Sequence, residues 1–303
     1  MAKKESYRCS ECGWLSAKWQ GQCRQCQAWG TLAEVGASAG LAKTAVRTPI
    51  QAAQPISQVS AESAQARPSG VGELDRVLGG GIVPGAVILL AGEPGVGKST
   101  LLLTVAANAA RQAKLTGTGS VLYITGEESA SQVRLRAARI DALADNLLLA
   151  AETELGAVLG QVEQANPALL IVDSVQTIAS ADVEGSAGGT SQVRAVAAAI
   201  IALAKERNIP VLLVGHVTKD GGIAGPRVLE HLVDVVCQFE GERHARLRLL
   251  RAVKNRYGPT DEVGCFELGE RGIVELADPS GLFLSQARSE VPGTCATVTL
   301  EGR

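Results

Sequence analysis

Four cysteines near the start of the chain, Cys9, Cys12, Cys23 and Cys26, form two CxxC pairs with ten residues between them. Each pair bends as a knuckle that presents two thiolates, and two knuckles complete a tetrahedral sulfur site for zinc. The competing uses of such cysteines are two disulfides or a redox CxxC. A cytoplasmic setting argues against the first, and the pairing of two motifs argues against the second. Residues 7–31 are too few to build an apolar core, so metal binding would supply the folding free energy of this segment. With no fifth ligand in the segment, the site reads as structural rather than catalytic. Cys237, Cys265 and Cys295 lie far apart and read as ordinary thiols.

A second group of residues could do phosphate chemistry. Gly92-Glu93-Pro94-Gly95-Val96-Gly97-Lys98-Ser99-Thr100 matches GxxxxGK[ST] in full. Its glycines let backbone N–H groups curl around phosphate oxygens, and a following helix N-terminus favours anions. Lys98 would reach the β- and γ-phosphates of ATP, and the Ser99 hydroxyl would ligate Mg²⁺. Leu169-Leu-Ile-Val-Asp173 is an apolar run ending in a carboxylate, which makes Asp173 the second magnesium contact. Val121-Leu-Tyr-Ile-Thr-Gly-Glu127-Glu128 ends in two acids. Glu127 reads as the base that polarises water near the γ-phosphate, and Glu128 as an acid at a helix N-terminus. Val214-Gly-His216-Val-Thr218 ends another apolar run, and its polar groups, His216 first, could sense the γ-phosphate.

These groups need elements to hold them. Val87–Ala91, Val121–Thr125, Leu147–Ala150, Leu169–Asp173 and Val211–Gly215 read as buried strands. Thr100–Lys114, Ala130–Ile140, Leu155–Ala165 and Gln192–Asn208 carry helical spacing between them. Such alternation predicts an α/β domain with a mainly parallel sheet, whose ligands sit at the C-terminal ends of the strands. Leu232–Phe239, Ala245–Val253, Val263–Leu268 and Gly272–Glu275 read as short strands of an antiparallel extension. Four regions follow: a four-cysteine zinc-binding module at 1–31, a flexible linker at 32–67 rich in Ala, Ser, Gln and Pro, an ATPase domain at 68–285, and a C-terminal stub at 286–303. Within the stub, Thr294–Leu300 alternates like a strand.

The 29 Lys+Arg against 31 Asp+Glu give a net charge of −2 and no global sign of a polyanionic partner. The distribution says more, because residues 243–256 hold Arg243, Arg246, Arg248, Arg251, Lys254 and Arg256 with no acid among them. Alternation predicts Arg246 and Arg248 on one strand face, suited to phosphates of nucleotide or DNA. The alternative is a solvated edge strand kept from aggregating by its charge. No apolar run is long enough to cross a membrane, and MAKKES at the start carries no apolar leader, so a soluble cytoplasmic protein is expected.

The CxxC…CxxC head, Gly70-Val-Gly-Glu-Leu-Asp75-Arg-Val-Leu-Gly-Gly-Gly81, the phosphate loop, Tyr123-Ile-Thr-Gly-Glu-Glu-Ser129 and Lys254-Asn-Arg-Tyr-Gly258 together resemble the bacterial RadA (Sms) family of DNA-repair ATPases. The similarity runs from about residue 7 to 285, and Tyr257 stands where the family usually has Phe. The resemblance implies a RecA-like P-loop core preceded by a zinc ribbon, with ATP, Mg²⁺ and Zn²⁺ as cofactors. It implies a homo-hexameric, DNA-dependent ATPase that acts in recombination and repair by branch migration and unwinding on single-stranded and branched DNA. A recombinase or other repair protein is a further expected partner, and no membrane is. Glu127 carries over as the catalytic glutamate, and Lys254 and Arg256 as cations that reach the nucleotide in a neighbouring subunit. Residues 180–191 and 218–227 resemble the paired loops that grip single strands in RecA-like rings, with Lys219 and Arg227 on phosphates. Residues 286–303 would begin a truncated Lon-protease-like domain. The other readings are an ATP-switched DNA-binding module without motor activity and a KaiC-like signalling ATPase.

Overall fold

The computed structural model describes residues 7–34, 55–58, 61, 64–216, 229–242 and 245–277. The chain divides into two compact units, 1–59 and 60–303. In the first, the strands β1 (Tyr7–Cys9), β2 (Leu15–Ser16) and β3 (Leu32–Glu34) form an antiparallel sheet in the order β2-β1-β3. Thus β3 lies in the stretch expected as linker yet pairs with β1 through Leu32↔Cys9. Among the described residues, the buried apolar side chains here are Cys9, Cys23 and Leu32, with Tyr7 and Trp14 packed against them.

The second unit carries α1 (Gly72–Leu78), β4 (Val87–Gly92), α2 (Lys98–Thr116), β5 (Val121–Thr125), α3 (Ala130–Arg139), β6 (Leu147–Ala151), α4 (Leu155–Ala165), β7 (Leu169–Asp173), α5 (Thr190–Arg207) and β8 (Val211–His216). It continues through β9 (Val235–Glu240), β10 (Leu247–Asn255), β11 (Val263–Gly269) and β12 (Gly272–Glu275). One nine-stranded sheet runs β12-β11-β10-β9-β4-β8-β7-β5-β6. The strands from β6 to β9 pair in parallel, and β9 to β12 pair antiparallel. The α/β fold with a mainly parallel sheet is therefore present, with one difference. The sequence places β9 in the antiparallel extension, whereas it pairs in parallel with β4 through Ile88↔Val235 and turns antiparallel only against β10.

Alternation along the strands divides the core between two faces. Ile88, Leu90, Tyr123, Leu169 and Ile171 face α1, α2 and α3, while Val87, Leu89, Leu122, Leu170 and Val172 face α4 and α5. With apolar layers on both sides, the parallel strands read as continuous hydrophobic runs rather than alternating ones. Local chemistry sets the helix ends. Ser129 and Gln132 form a reciprocal capping box that starts α3 directly after the acids at the β5 end. Residues 278–303, and so the expected Lon-like stub, lie outside the described residues.

Candidate functional site

The strands β4, β8, β7 and β5 are neighbours in the sheet, and their C-terminal ends carry Gly92, His216, Asp173 and Thr125. The register aligns Gly92 with His216 and Asp173 with Thr125. Every catalytic candidate of the phosphate site therefore sits at one sheet edge. The chain turns there from β4 into α2, whose first residue is Lys98. Gly97 caps that helix at φ 108°, a backbone conformation that favours glycine. Glu93, Pro94 and Gly95 are exposed, Val96 is buried, and Ser99 and Thr100 are half-buried in the first helical turn. Lys98 is buried, and its Nζ donates to the Gly92 carbonyl (2.8 Å) and the Glu93 carbonyl (2.9 Å). Burial pulls its pKa down to about 8 against the attraction of Asp173 and Glu127, so the ammonium keeps its charge at neutral pH.

Asp173 is buried, and its Oδ2 accepts a 2.6 Å hydrogen bond from the Tyr123 hydroxyl. Its Oδ1 is buried with no partner among the described residues. A buried carboxylate oxygen left open at the phosphate edge, with the Ser99 hydroxyl in the first turn of α2, suits a hard cation that takes oxygen ligands. The donor set therefore fits Mg²⁺. Beyond β5, Glu127 Oε1 accepts from Ser174 Oγ (2.7 Å) and pairs with His216 Nε2 (2.9 Å). Glu128 is instead tied to Arg136 of α3, which separates the two acids by role. Among the described residues, the buried Nδ1 of His216 has no hydrogen-bond partner. Tyr123 and Ser174 were missed by sequence reasoning. The signal that could have found them was a hydroxyl inside, or directly after, an otherwise apolar strand.

The basic stretch divides. Arg246 is exposed and reaches Glu267 at 3.7 Å. Arg248 is a correction to the expected DNA face, because it is only 3% exposed. It follows the inward alternation of Leu250 and Ala252. Its Nε donates to Val96 O (3.0 Å), and its Nη1 to the carbonyls of Glu242, Ala245 and Leu247. It braces the phosphate loop from behind, and burial lowers its pKa. Lys254 and Arg256 lie at the opposite sheet edge from that loop, because Asn255 pairs with Val235 at the start of β9. Lys254 Nζ donates to Glu230 O and Val233 O, both at 2.7 Å. Arg256 pairs with the buried Asp234 at 3.2 Å. Neither can serve the phosphate loop of its own chain. Burial pushes the Asp234 carboxyl up, yet the Lys205 ammonium and the Val87 N–H hold it below its usual value. Lys219 and Arg227 lie outside the described residues.

In the first unit the sulfurs of Cys9, Cys12, Cys23 and Cys26 all lie within 4.8 Å of one another. Cys9 and Cys26 sulfurs are 3.7 Å apart, and Cys12 and Cys23 sulfurs 3.6 Å. Those separations exceed a disulfide bond and match the edge of a tetrahedron with about 2.3 Å from metal to sulfur. The two knuckles repeat one pattern. Gly13 N donates to Cys9 O and Gln27 N to Cys23 O, while Cys9 N donates to Trp14 O and Cys23 N to Ala28 O. Gly13 at φ 75° and Gln27 at φ 58° occupy the same left-handed position. The donor set fits zinc.

A family model described as an AAA domain matches residues 52–222. The chain belongs to that AAA-domain family. A second model, described as a rubredoxin metal binding domain, matches residues 7–34. The DNA repair protein RadA of Mycobacterium tuberculosis is 53% identical over 304 residues, covering 99% of this chain and 62% of that protein. The protein of the same name from Mycolicibacterium smegmatis is 51% identical over 309 residues, covering 99% and 65%. That from Listeria monocytogenes is 45% identical over 296 residues, covering 97% and 64%. These relatives carry the name of the family that the motifs resemble, and the chain spans somewhat less than two thirds of their length. The AAA-domain family places the chain among P-loop ATPases, with a zinc-ribbon module ahead of the core. Among the described residues, no helix is long and apolar enough to cross a membrane.

Proposed function

We propose that this chain hydrolyses ATP in a DNA-dependent manner and acts in DNA repair and recombination. The observation that carries the reading is the meeting of a phosphate loop, an open magnesium-side carboxylate and a glutamate held by Ser174 and His216 at adjacent strand ends. In this reading the backbone of residues 92–97 and Lys98 cradle the β- and γ-phosphates, and Ser99 and Asp173 hold Mg²⁺. Bound there, the metal would neutralise charge on the phosphate oxygens. Glu127 takes the proton of the attacking water. Ser174 and His216 aim its carboxylate, and His216 also senses the γ-phosphate, since moving toward it costs the Glu127 bond. Zinc on Cys9, Cys12, Cys23 and Cys26 holds the N-terminal module, which β3 completes, and the residues after β3 link it to the ATPase domain. Hexameric assembly gives Lys254 and Arg256 a neighbour's nucleotide to reach, which accounts for their place at the far sheet edge. Lys219, Arg227 and Arg246 contact DNA phosphates. The substrates are single-stranded and branched DNA, processed by branch migration or unwinding in the cytoplasm.

The test is the ATPase rate with and without single-stranded DNA across salt concentrations. Stimulation that fades as salt rises is expected, because phosphate contacts release counterions. No stimulation at any salt would overturn the DNA-dependent reading. Strand displacement on a forked substrate then separates a motor from a nucleotide-switched binding module.

A further inference from the structure

We propose that Tyr123 is a positioning residue that fixes which oxygen of Asp173 faces the nucleotide's metal. The inference rests on the reading of Asp173 as the magnesium-side carboxylate, and goes beyond it to what holds that carboxylate in place.

The register makes the pair. Tyr123 stands opposite Ile171, so Asp173 is its diagonal neighbour on the same face of the sheet. Both side chains are buried, Tyr123 within the apolar layer shared with α2 and α3. A tyrosine hydroxyl in such a layer must find an acceptor or be left unsatisfied. Here the acceptor is Asp173 Oδ2 at 2.6 Å, a separation typical of a hydroxyl donating to a charged oxygen.

The consequence lies at the other oxygen. A carboxylate torsion is soft and roughly two-fold, so an unheld Asp173 could present either oxygen or neither. Tyr123 occupies Oδ2 and leaves Oδ1 buried and without a partner among the described residues. A buried acceptor left open carries a free-energy cost that a cation at the loop would relieve. Tyr123 thus stands to Asp173 as an outer partner stands to a metal ligand, aiming it before the metal arrives.

The test uses the full chain and a fluorescent ADP analogue, mant-ADP, with its affinity measured in Mg²⁺-free buffer and across a Mg²⁺ titration. Tyr123→Phe keeps the ring and removes only the donor. It should leave Mg²⁺-free affinity unchanged and reduce the tightening produced by Mg²⁺ by about tenfold or more. Asp173→Asn should reduce that tightening too, and the double variant should do no worse than Asp173→Asn alone. Equal weakening with and without Mg²⁺ in Tyr123→Phe would mean a packing role and overturn the inference. Wild-type behaviour of Tyr123→Phe beside a defective Asp173→Asn would overturn it while leaving Asp173 in place. An Asp173→Asn variant with full Mg²⁺ tightening would remove the reading beneath it. If Tyr123→Phe fails to fold, additivity between Asp173→Asn and Tyr123→Leu in the same titration would count against the inference.

Discussion

The zinc module and the ATPase core solve the same problem, holding reactive atoms at fixed separations, by opposite means. Among the described residues of 7–34 the buried apolar side chains are Cys9, Cys23 and Leu32, and two of those three belong to the candidate metal site. In the core two apolar layers cover both faces of a nine-stranded sheet, and the candidate reactive groups gather at or just beyond the C-terminal ends of its strands. Removing one ligand from the module removes part of its interior. Removing a catalytic group from the core leaves the interior intact. Fold and function thus separate further in the core, where most candidate site residues lie outside the apolar layers and Tyr123 bridges the two, than in the module, where the candidate metal-binding cysteines are part of the interior.

The largest effect tests that separation by removing the metal. All three tryptophans, Trp14, Trp19 and Trp29, belong to the module, so tryptophan emission reports on it alone. A zinc chelator under reducing conditions should shift that emission to the unfolded value and leave the core's far-ultraviolet circular dichroism in place. Loss of both signals together would break the comparison. A smaller effect comes from the other side. Leu89 is completely buried within the layer facing α4 and α5, and Leu89→Ala should destabilise the core by about 2–5 kcal/mol. Its thermal transition should fall, while the chelator concentration that shifts tryptophan emission stays where it was. The smallest effect lies in the second knuckle, where Gln27 holds the left-handed conformation that Gly13 holds in the first. Gln27→Gly should stabilise the metal-bound module by about 1 kcal/mol, read as a higher chelator midpoint. An unchanged or lower midpoint would show that the two knuckles are not equivalent.

The parts of the site that could be read from sequence are those in which a motif is contiguous and its neighbours are local. The loop from Gly92 to Thr100, the two CxxC pairs and the strand-terminal Asp173 and Glu127 are of this kind. What escaped needed pairing between distant segments. The direction of β9 is set by its contact with β4, far back in the chain. Alternation located the two faces of β10 but not which one is inward, and Arg248 turned out to point into the core and onto the Val96 carbonyl. The Tyr123–Asp173 bond depends on the register of β5 against β7. The Glu127–His216 contact spans β8 as well. Strand identity was thus local information and strand register was not. Register determines which hydroxyl meets which carboxylate.

The measurement that bears most directly on the account is nucleotide binding and hydrolysis by Glu127→Gln, made side by side on the full chain. The substitution keeps the shape of the side chain and removes its capacity to take a proton. Glu127→Gln should bind nucleotide with Mg²⁺ as tightly as the unaltered protein, with turnover lower by about 10²- to 10⁴-fold. Turnover near the unaltered rate would contradict the assignment of Glu127 as the base, and with it the reading of this sheet edge as the catalytic one.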